Sequence, residues 1–462
     1  MNLQNKNTLF NLLSPIILNG INFFSIPIYT RILGPDQYGI VSVYSTWVSI
    51  FSILFGLQVQ GSIGSAFSHI SSKNKYEYLS SILLLGLFSS IISFFASLIF
   101  IKPISNTLLL NINVVICCFI QSIATFIINF SLLSFTFLKK AEKSLLISSI
   151  TSISTTVLSL VFLYFVYSGE NRFLGRIYGQ IWPMILISTA LALYFLIRGK
   201  FSFKKNYIIF CLPICIPLIL HALSHIVLAQ SDKLMIQHML NNKEAGIYGF
   251  VVTFTSVLTV IWGALNNSWV PFYYDDLKSG NFTLLLSKTR GYLLNYSIIS
   301  IVFVLWAPEV VKIFAPPSFW SCTSLLPFLV LSSYFIFLYS FPVNFEFYNR
   351  KTLSIAIGTI GAAVINISLN YLFIQFLGIL GAAIATLIAH VFLFLFHDAI
   401  ARFASSKKYH YNFLVFLPFI LSTVAFVVLA DLLKEFILTR WILGSFLSIF
   451  FFYHIWKKKS FF

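Results

Sequence analysis

The chain reads as an all-α polytopic membrane protein of about 14 transmembrane helices, and three observations predict it. Hydrophobic residues make up 58% of the sequence and charged residues 9%, with a mean hydropathy of +0.91, far from the balance of a soluble domain. Apolar runs of about twenty residues, enough to cross a hydrocarbon core of roughly 30 Å, recur along the whole chain. The cations sit in the short connections between those runs, mostly in alternate ones.

In order, the runs are approximately 9–30, 40–67, 79–101, 107–137, 145–167, 174–197, 207–230, 246–271, 288–307, 322–345, 352–375, 378–397, 411–430 and 440–456. An even number puts both termini on one side. If that side is the cytoplasm, 21 of the 30 Lys and Arg lie in inner segments and 9 in outer ones, the bias that the positive-inside rule requires of short loops. The net charge of +17 then follows from topology. No nucleic-acid partner is expected, because the basic residues form no single face or tail. Lys6 followed by a spanning run without a small-residue cleavage site is expected to be a retained first helix.

Two stretches interrupt this regularity. Ser14 to Tyr44 reads as an apolar helix broken by Pro15, Gly20 and Pro27, then a charged corner at Arg31, a turn at Gly34-Pro35 and a second apolar run. Phe210 to Phe250 carries Pro213 and Pro217 in an apolar helix, a charged corner at Asp232-Lys233 and a second helix opening at Gly246. Broken spanning helices must lie against protein or a wet cavity, and their recurrence at matching places in two halves points to a transporter's binding site. The halves also align directly. LGRIYGQ from Leu174 meets LGAAIAT from Leu380 at a shift of 206, and GIVSVY from Gly39 meets GIYGFV from Gly246 at 207. The expectation is two six-helix lobes, 1–202 and 203–403, related by a pseudo-two-fold along the membrane normal, with the last two helices, 404–462, as an appendage.

Several classes are excluded. No GxxxxGK[ST] phosphate-cradling loop occurs, so a translocating ATPase is ruled out. The five cysteines are odd in number and lack CxxC spacing; Cys211 and Cys215, one turn apart without His or carboxylate partners, read as packing. No disulfide framework, metal site or cofactor is expected. The adjacent acids Asp275-Asp276 read as a solvated loop.

Three segments carry a resemblance. TRILGPDQYGIVSVYS from Thr30, the Asp232-Lys233 pair leading to AGIYGF, and NISLNYLFIQFLGILGAAIATLI from Asn366 to Ile388 resemble the bacterial polysaccharide flippase family. These are the O-antigen and capsule repeat-unit translocases of the multidrug, oligosaccharidyl-lipid and polysaccharide exporter superfamily. The resemblance covers essentially the whole chain. It implies a two-lobed bundle around a central cavity in the bacterial inner membrane, opening alternately to each side. The cargo it implies is an oligosaccharide on an undecaprenyl diphosphate carrier, destined for lipopolysaccharide or capsule, with a polymerase and chain-length proteins as partners. Two departures stand out: Ile374-Gln375 where members often have Ile-Pro, and Asp232-Lys233 where they often have Asp-Arg. Lysine replaces a bidentate fork by a point charge at the second.

For such a cargo the substrate-binding candidates are Arg31, Arg176 and Lys233 toward the diphosphate, against topology or packing as the alternative role. Asn366 and Asn370, four apart and so on one helix face, either contact sugars or hydrogen-bond neighbouring helices. His221 and His225, one turn apart in mid-helix, either carry coupling protons or stay neutral and bonded to neighbours. Asp232 either pairs with a neighbour or binds a coupling cation, a proton or sodium ion. Rival functions are a drug or organic-cation exporter, which would favour buried carboxylates, and a membrane-embedded polymerase or glycosyltransferase, which would need a larger outer loop.

Overall fold

The computed structural model describes residues 3–71, 74–349, 351–403, 411–458 and 461. They fold as helices: α1 (Leu3–Gly56), α2 (Ile63–His69), α3 (Lys75–Ile99), α4 (Ile101–Leu108), α5 (Ile112–Phe137), α6 (Ala141–Phe165), α7 (Arg172–Arg198), α8 (Lys205–Met239), α9 (Asn242–Ser279), α10 (Phe282–Phe314), α11 (Leu326–Tyr348), α12 (Thr352–Leu377), α13 (Ile379–Phe403), α14 (Phe413–Leu432) and α15 (Ile437–Lys458). Thirteen described helices are long and apolar enough to cross a membrane. One of these spans lies within α1, whose regular backbone is interrupted at Gly34 (φ 65°, ψ 175°), so the first two sequence runs share one broken helix. Pro35 explains the position: a residue preceding proline is pushed out of the α region, and glycine tolerates the positive φ that results.

Four local expectations change. Pro15, Gly20 and Pro27 do not break α1; Gly34 is its one non-helical residue. Asp232-Lys233 is not a corner but lies inside α8, which runs to Met239 and contains Pro213 and Pro217. Neither Gly nor Pro stands at 232–233, and the chain turns instead at Leu240 (φ −121°, ψ −92°). Asn241 follows, and its Oδ1 accepts from Glu244 N at 2.9 Å, the capping chemistry that starts α9. Asp275-Asp276 belongs to α9, with Asp276 buried and bonded to Lys288 at 2.7 Å. Finally, the run 40–67 is not continuous; it breaks after Gly56.

The chain packs as two compact units, Met1–Gly246 and Ile247–Phe462. In the first, α1 packs on α5, α6 and α8, and α6 on α7. Phe126 is wedged where a Cβ on Gly56 or on Gly86 would collide with its ring. Where α1 resumes after Gly34, a Cβ on Gly39 would meet the carbonyl of Asn242 and the amide of Gly246, and one on Gly246 would meet the carbonyl of Pro35 and the amide of Gly39. The second unit is built on α11 and α12 against α13, and on α10 against α14 and α15. Its core is aromatic, with Tyr296 stacked on Phe337 at 4.1 Å. Arg440, 1% exposed, forks onto both oxygens of Glu309 at 2.6 and 2.9 Å and fixes α15 to α10.

Candidate functional site

An unusual stretch of backbone in the first unit follows Gly56. Leu57 and Gln58 are consecutive non-glycine residues with φ of 50° and 49°, and Val59–Ser62 forms a short 3-10 turn before α2 begins. Such conformations cost on the order of 1–3 kcal/mol each and persist where the surroundings enforce them. Position makes the break more demanding. Gly56 meets Phe126, which lies about 21 Å from the start of α5 and about 16 Å from its end at a 1.5 Å rise, so the break opens beside the middle of a membrane-length helix.

Non-helical backbone among spanning helices needs protein partners or a wet cavity, and it has both. Ser62 Oγ donates to Val59 O at 2.7 Å, Tyr78 Oη donates to Ser62 Oγ at 2.6 Å, and Cys215 Sγ approaches the same Val59 carbonyl at 3.6 Å. Ser90 Oγ donates to Phe55 O at 3.1 Å. Cys211 and Cys215 thus pack on the break, the packing role the sequence suggests. On its other side is a cavity of about 280 Å³, lined by Ser49, Ser52, Gln58, Gln60, Thr125, Asn129 and Gln230 with Ile53, Phe126 and Ile226.

Among the described residues, no Asp, Glu, Lys or Arg lines this cavity. Its polar groups are hydroxyls and neutral amides, which offer donors and acceptors in mixed array. Gln230 Oε1 accepts from Thr46 Oγ1 at 3.0 Å, which holds α8 to α1 beside the cavity. Gln60 bonds Gln58, while its own Oε1 is buried with no hydrogen-bond partner among the described residues. Such a set suits a neutral ligand rich in hydroxyl groups. It suits an isolated ion poorly, because nothing charged stands ready to replace the ion's hydration.

The sequence-derived candidates fall elsewhere. Arg31 is exposed, three residues before Gly34, with NH1 on Pro27 O at 3.0 Å. Arg176 donates to Tyr29 Oη at 2.6 Å and Ser159 Oγ at 3.2 Å and lies 3.9 Å over the Tyr29 ring. Arg172 reaches Ile32 O at 3.4 Å, so two arginines of α7 attach to the segment that carries Arg31. Asp232 and Lys233 are both buried within the first unit, whereas His221 and His225 are exposed on α8. Asn366 and Asn370 are fully buried in the second unit. Asn370 Nδ2 donates to Asn366 Oδ1 at 3.0 Å, and Asn366 Nδ2 to Thr386 Oγ1 at 3.4 Å, so the pair ties α12 to α13.

Of the cavity amides, Gln58, Gln60 and Gln230 are residues that sequence reading misses, whereas Asn129 is legible as an amide inside an apolar run. The stretch Gln58-Val59-Gln60-Gly61-Ser62-Ile63-Gly64, polar and glycine-rich inside an apolar run, is the signal that identifies Gln58 and Gln60.

Residues 5–274 match the family described as polysaccharide biosynthesis protein. The chain belongs to that family. An uncharacterized membrane protein of Haemophilus influenzae is 25% identical over 408 residues, covering 84% of this chain and 92% of its own length. Among solved structures, the lipid II flippase MurJ in an inward closed conformation superposes with a TM-score of 0.69 at 14% identity, covering 98% of this chain and 99% of the flippase. A multidrug resistance MATE family transporter of the MOP superfamily, inward-facing, gives 0.65 at 16% identity over 86% of this chain and 99% of its own. This member of the polysaccharide biosynthesis family thus has the fold of those two membrane transporters.

Proposed function

We propose that the protein flips oligosaccharide repeat units linked to undecaprenyl diphosphate from the cytoplasmic to the outer leaflet of a bacterial inner membrane, by alternating access. The observation that carries this reading is the amide- and hydroxyl-lined cavity between membrane-length helices beside a broken one. Sugars present neutral hydroxyls, and such a lining can pair them in place of water.

The family match supports a saccharide pathway, and the two transporter folds support movement of a membrane-borne cargo. Arg31 and Lys233 are the residues we assign to the diphosphate. Arg176, stacked and bonded to Tyr29, supports the Arg31 segment in this scheme. The 21 to 9 charge bias supports cytoplasmic termini, and a polymerase with chain-length proteins would act next on the delivered units, as lipopolysaccharide O-antigen or capsule.

Gene deletion tests the reading. Complete single repeat units stranded on the inner leaflet are the expected result. Single units displayed unpolymerised on the cell surface would reject it in favour of a polymerase, and unchanged polysaccharide would reject it outright.

A further inference from the structure

The second unit contains a group the transport reading does not use. Glu346 on α11 and His397 on α13 have side chains 1% and 0% exposed, with Oε1 to Nδ1 at 2.6 Å. Both stand in the C-terminal parts of helices apolar enough to span a membrane, and burying ionisable side chains so completely is costly. The other carboxylate oxygen of Glu346 accepts from the hydroxyl of Ser354, in the first turn of α12. Three helices thus meet at one carboxylate. His397 Nε2 has no hydrogen-bond partner among the described residues and abuts Gly358, where any Cβ would overlap it.

We propose that Glu346 and His397 form a proton-binding site that couples transport to a proton gradient. The coupling role rests on the transport reading; the proton binding does not. With Nε2 against a glycine, the ring bonds through Nδ1 alone, and one proton shared between Nδ1 and Oε1 leaves the pair with a net charge of −1. A second proton, taken from water, gives a neutral carboxyl beside a neutral imidazole, and no other bond forms or breaks. That change removes a buried charge at the junction of α11, α12 and α13 and weakens the attraction of the carboxylate for the N-terminal end of α12. Packed elements with two discrete arrangements respond to such a change by switching between them.

Among the described residues, these charged and titratable groups stand near the pair. Tyr339 on α11 meets the His397 ring at 5.0 Å, and Lys351, just before α12, donates its backbone N–H to Glu346 O at 2.9 Å. On α13, Asp398 pairs with Arg402 at 2.8 Å, and Arg402 is 30% exposed, which leads from the buried pair toward the surface. Two turns earlier, buried His390 bonds Ser332 at 2.5 Å. His221 and His225 of the first unit, by contrast, are exposed and not enclosed with a carboxylate.

Infrared difference spectra of the full-length protein in lipid nanodiscs test the site without any cargo. Lowering the pH should raise a protonated-carboxyl band that shifts when glutamate is carboxyl-labelled with ¹³C. The band should be absent in Glu346→Gln and present in Glu346→Asp. A band that ignores the glutamate label, in wild-type protein, overturns the proposal whether or not Glu346→Gln folds; so does a band that survives Glu346→Gln. In proteoliposomes, an imposed proton gradient should accelerate flipping by wild type and Glu346→Asp, and not by Glu346→Gln. Proton uptake at Glu346 without flipping of lipid-linked oligosaccharide by wild type would reject the transport reading and leave the proton site standing; equal acceleration in Glu346→Gln would reject the coupling.

Discussion

Replacing the cavity amides by an apolar residue of similar size tests the reading that these groups hold sugar. Gln60→Leu, Asn129→Leu and Gln230→Leu keep most of the volume of the 280 Å³ space while removing three of its four amides and leaving Gln58. A hydrogen bond between neutral groups contributes about 1 kcal/mol net, which is roughly 5-fold in a rate at limiting cargo. Each single change should therefore slow flipping roughly 5-fold, and the triple change roughly 100-fold if the contacts act independently. Gln230 has a second role, because it accepts from Thr46 at 3.0 Å. Thr46→Val removes that bond and leaves the amide in the cavity, so it separates helix tethering from cargo contact and should cost less than 2-fold. The assay is the rate at which a lipid-linked oligosaccharide, reconstituted with the protein in vesicles, becomes accessible to a lectin outside, normalised to folded protein. A folded triple variant that flips at the wild-type rate would refute the reasoning, and so would a Thr46→Val defect equal to that of Gln230→Leu.

The other predictions concern packing. Gly39→Val or Gly246→Val forces a side chain into a backbone contact and should destabilise by about 1–3 kcal/mol or more, seen as a lowered melting temperature in detergent. Arg440→Ala leaves Glu309 without its fork and should cost about 3–5 kcal/mol. Arg440→Lys should recover little of it, because an ammonium cannot reproduce the bidentate geometry; the paired Arg440→Met, Glu309→Leu variant should melt closer to wild type than Arg440→Ala does. Asn370→Ala should cost about 1 kcal/mol of helix association and leave polysaccharide export at its normal level, since the amide bonds Asn366 inside the second unit.

Much of the architecture is legible in the sequence because hydrocarbon imposes a length and forbids unpaired backbone. Twenty apolar residues can do little else than span, and the Gly34-Pro35 pair places the first break because proline restricts the residue before it. Legibility fails where helix continuity depends on partners. Pro213 and Pro217 leave α8 intact, and Asp232-Lys233 lies inside it, since a charged pair does not stop a helix whose neighbours bury it. The break at Leu57–Ser62 was hidden for the opposite reason. Its cost is met by Ser62, Tyr78, Ser90 and the two cysteines, which stand far apart in sequence, and only the polar string Gln58 to Ser62 hints at it locally. The proton pair is equally non-local: Glu346 falls one residue beyond the apolar run 322–345, and its meaning depends on a histidine fifty-one positions later.

The duplication has a geometric counterpart that sequence alignment alone could not supply. A shift of 207 takes Pro35 to Asn242 and Gly39 to Gly246, and the contacts among these four residues are reciprocal: each glycine approaches the amide of the other and the carbonyl four residues before it. Reciprocity of this kind is what a two-fold relation between equivalent segments produces. The second alignment behaves alike. Gly175 sits near the start of α7 against the backbone of Phe162 and Leu163, at the end of α6, and Gly381 sits near the start of α13 against the backbone of Phe373, at the end of α12. Small residues at one spacing thus occupy similar close approaches, as an internal repeat would require. In the proposed scheme the broken, amide-lined helix of the first unit holds cargo and the buried carboxylate-histidine pair of the second holds a proton, and the two would be the points at which such a repeat has diverged.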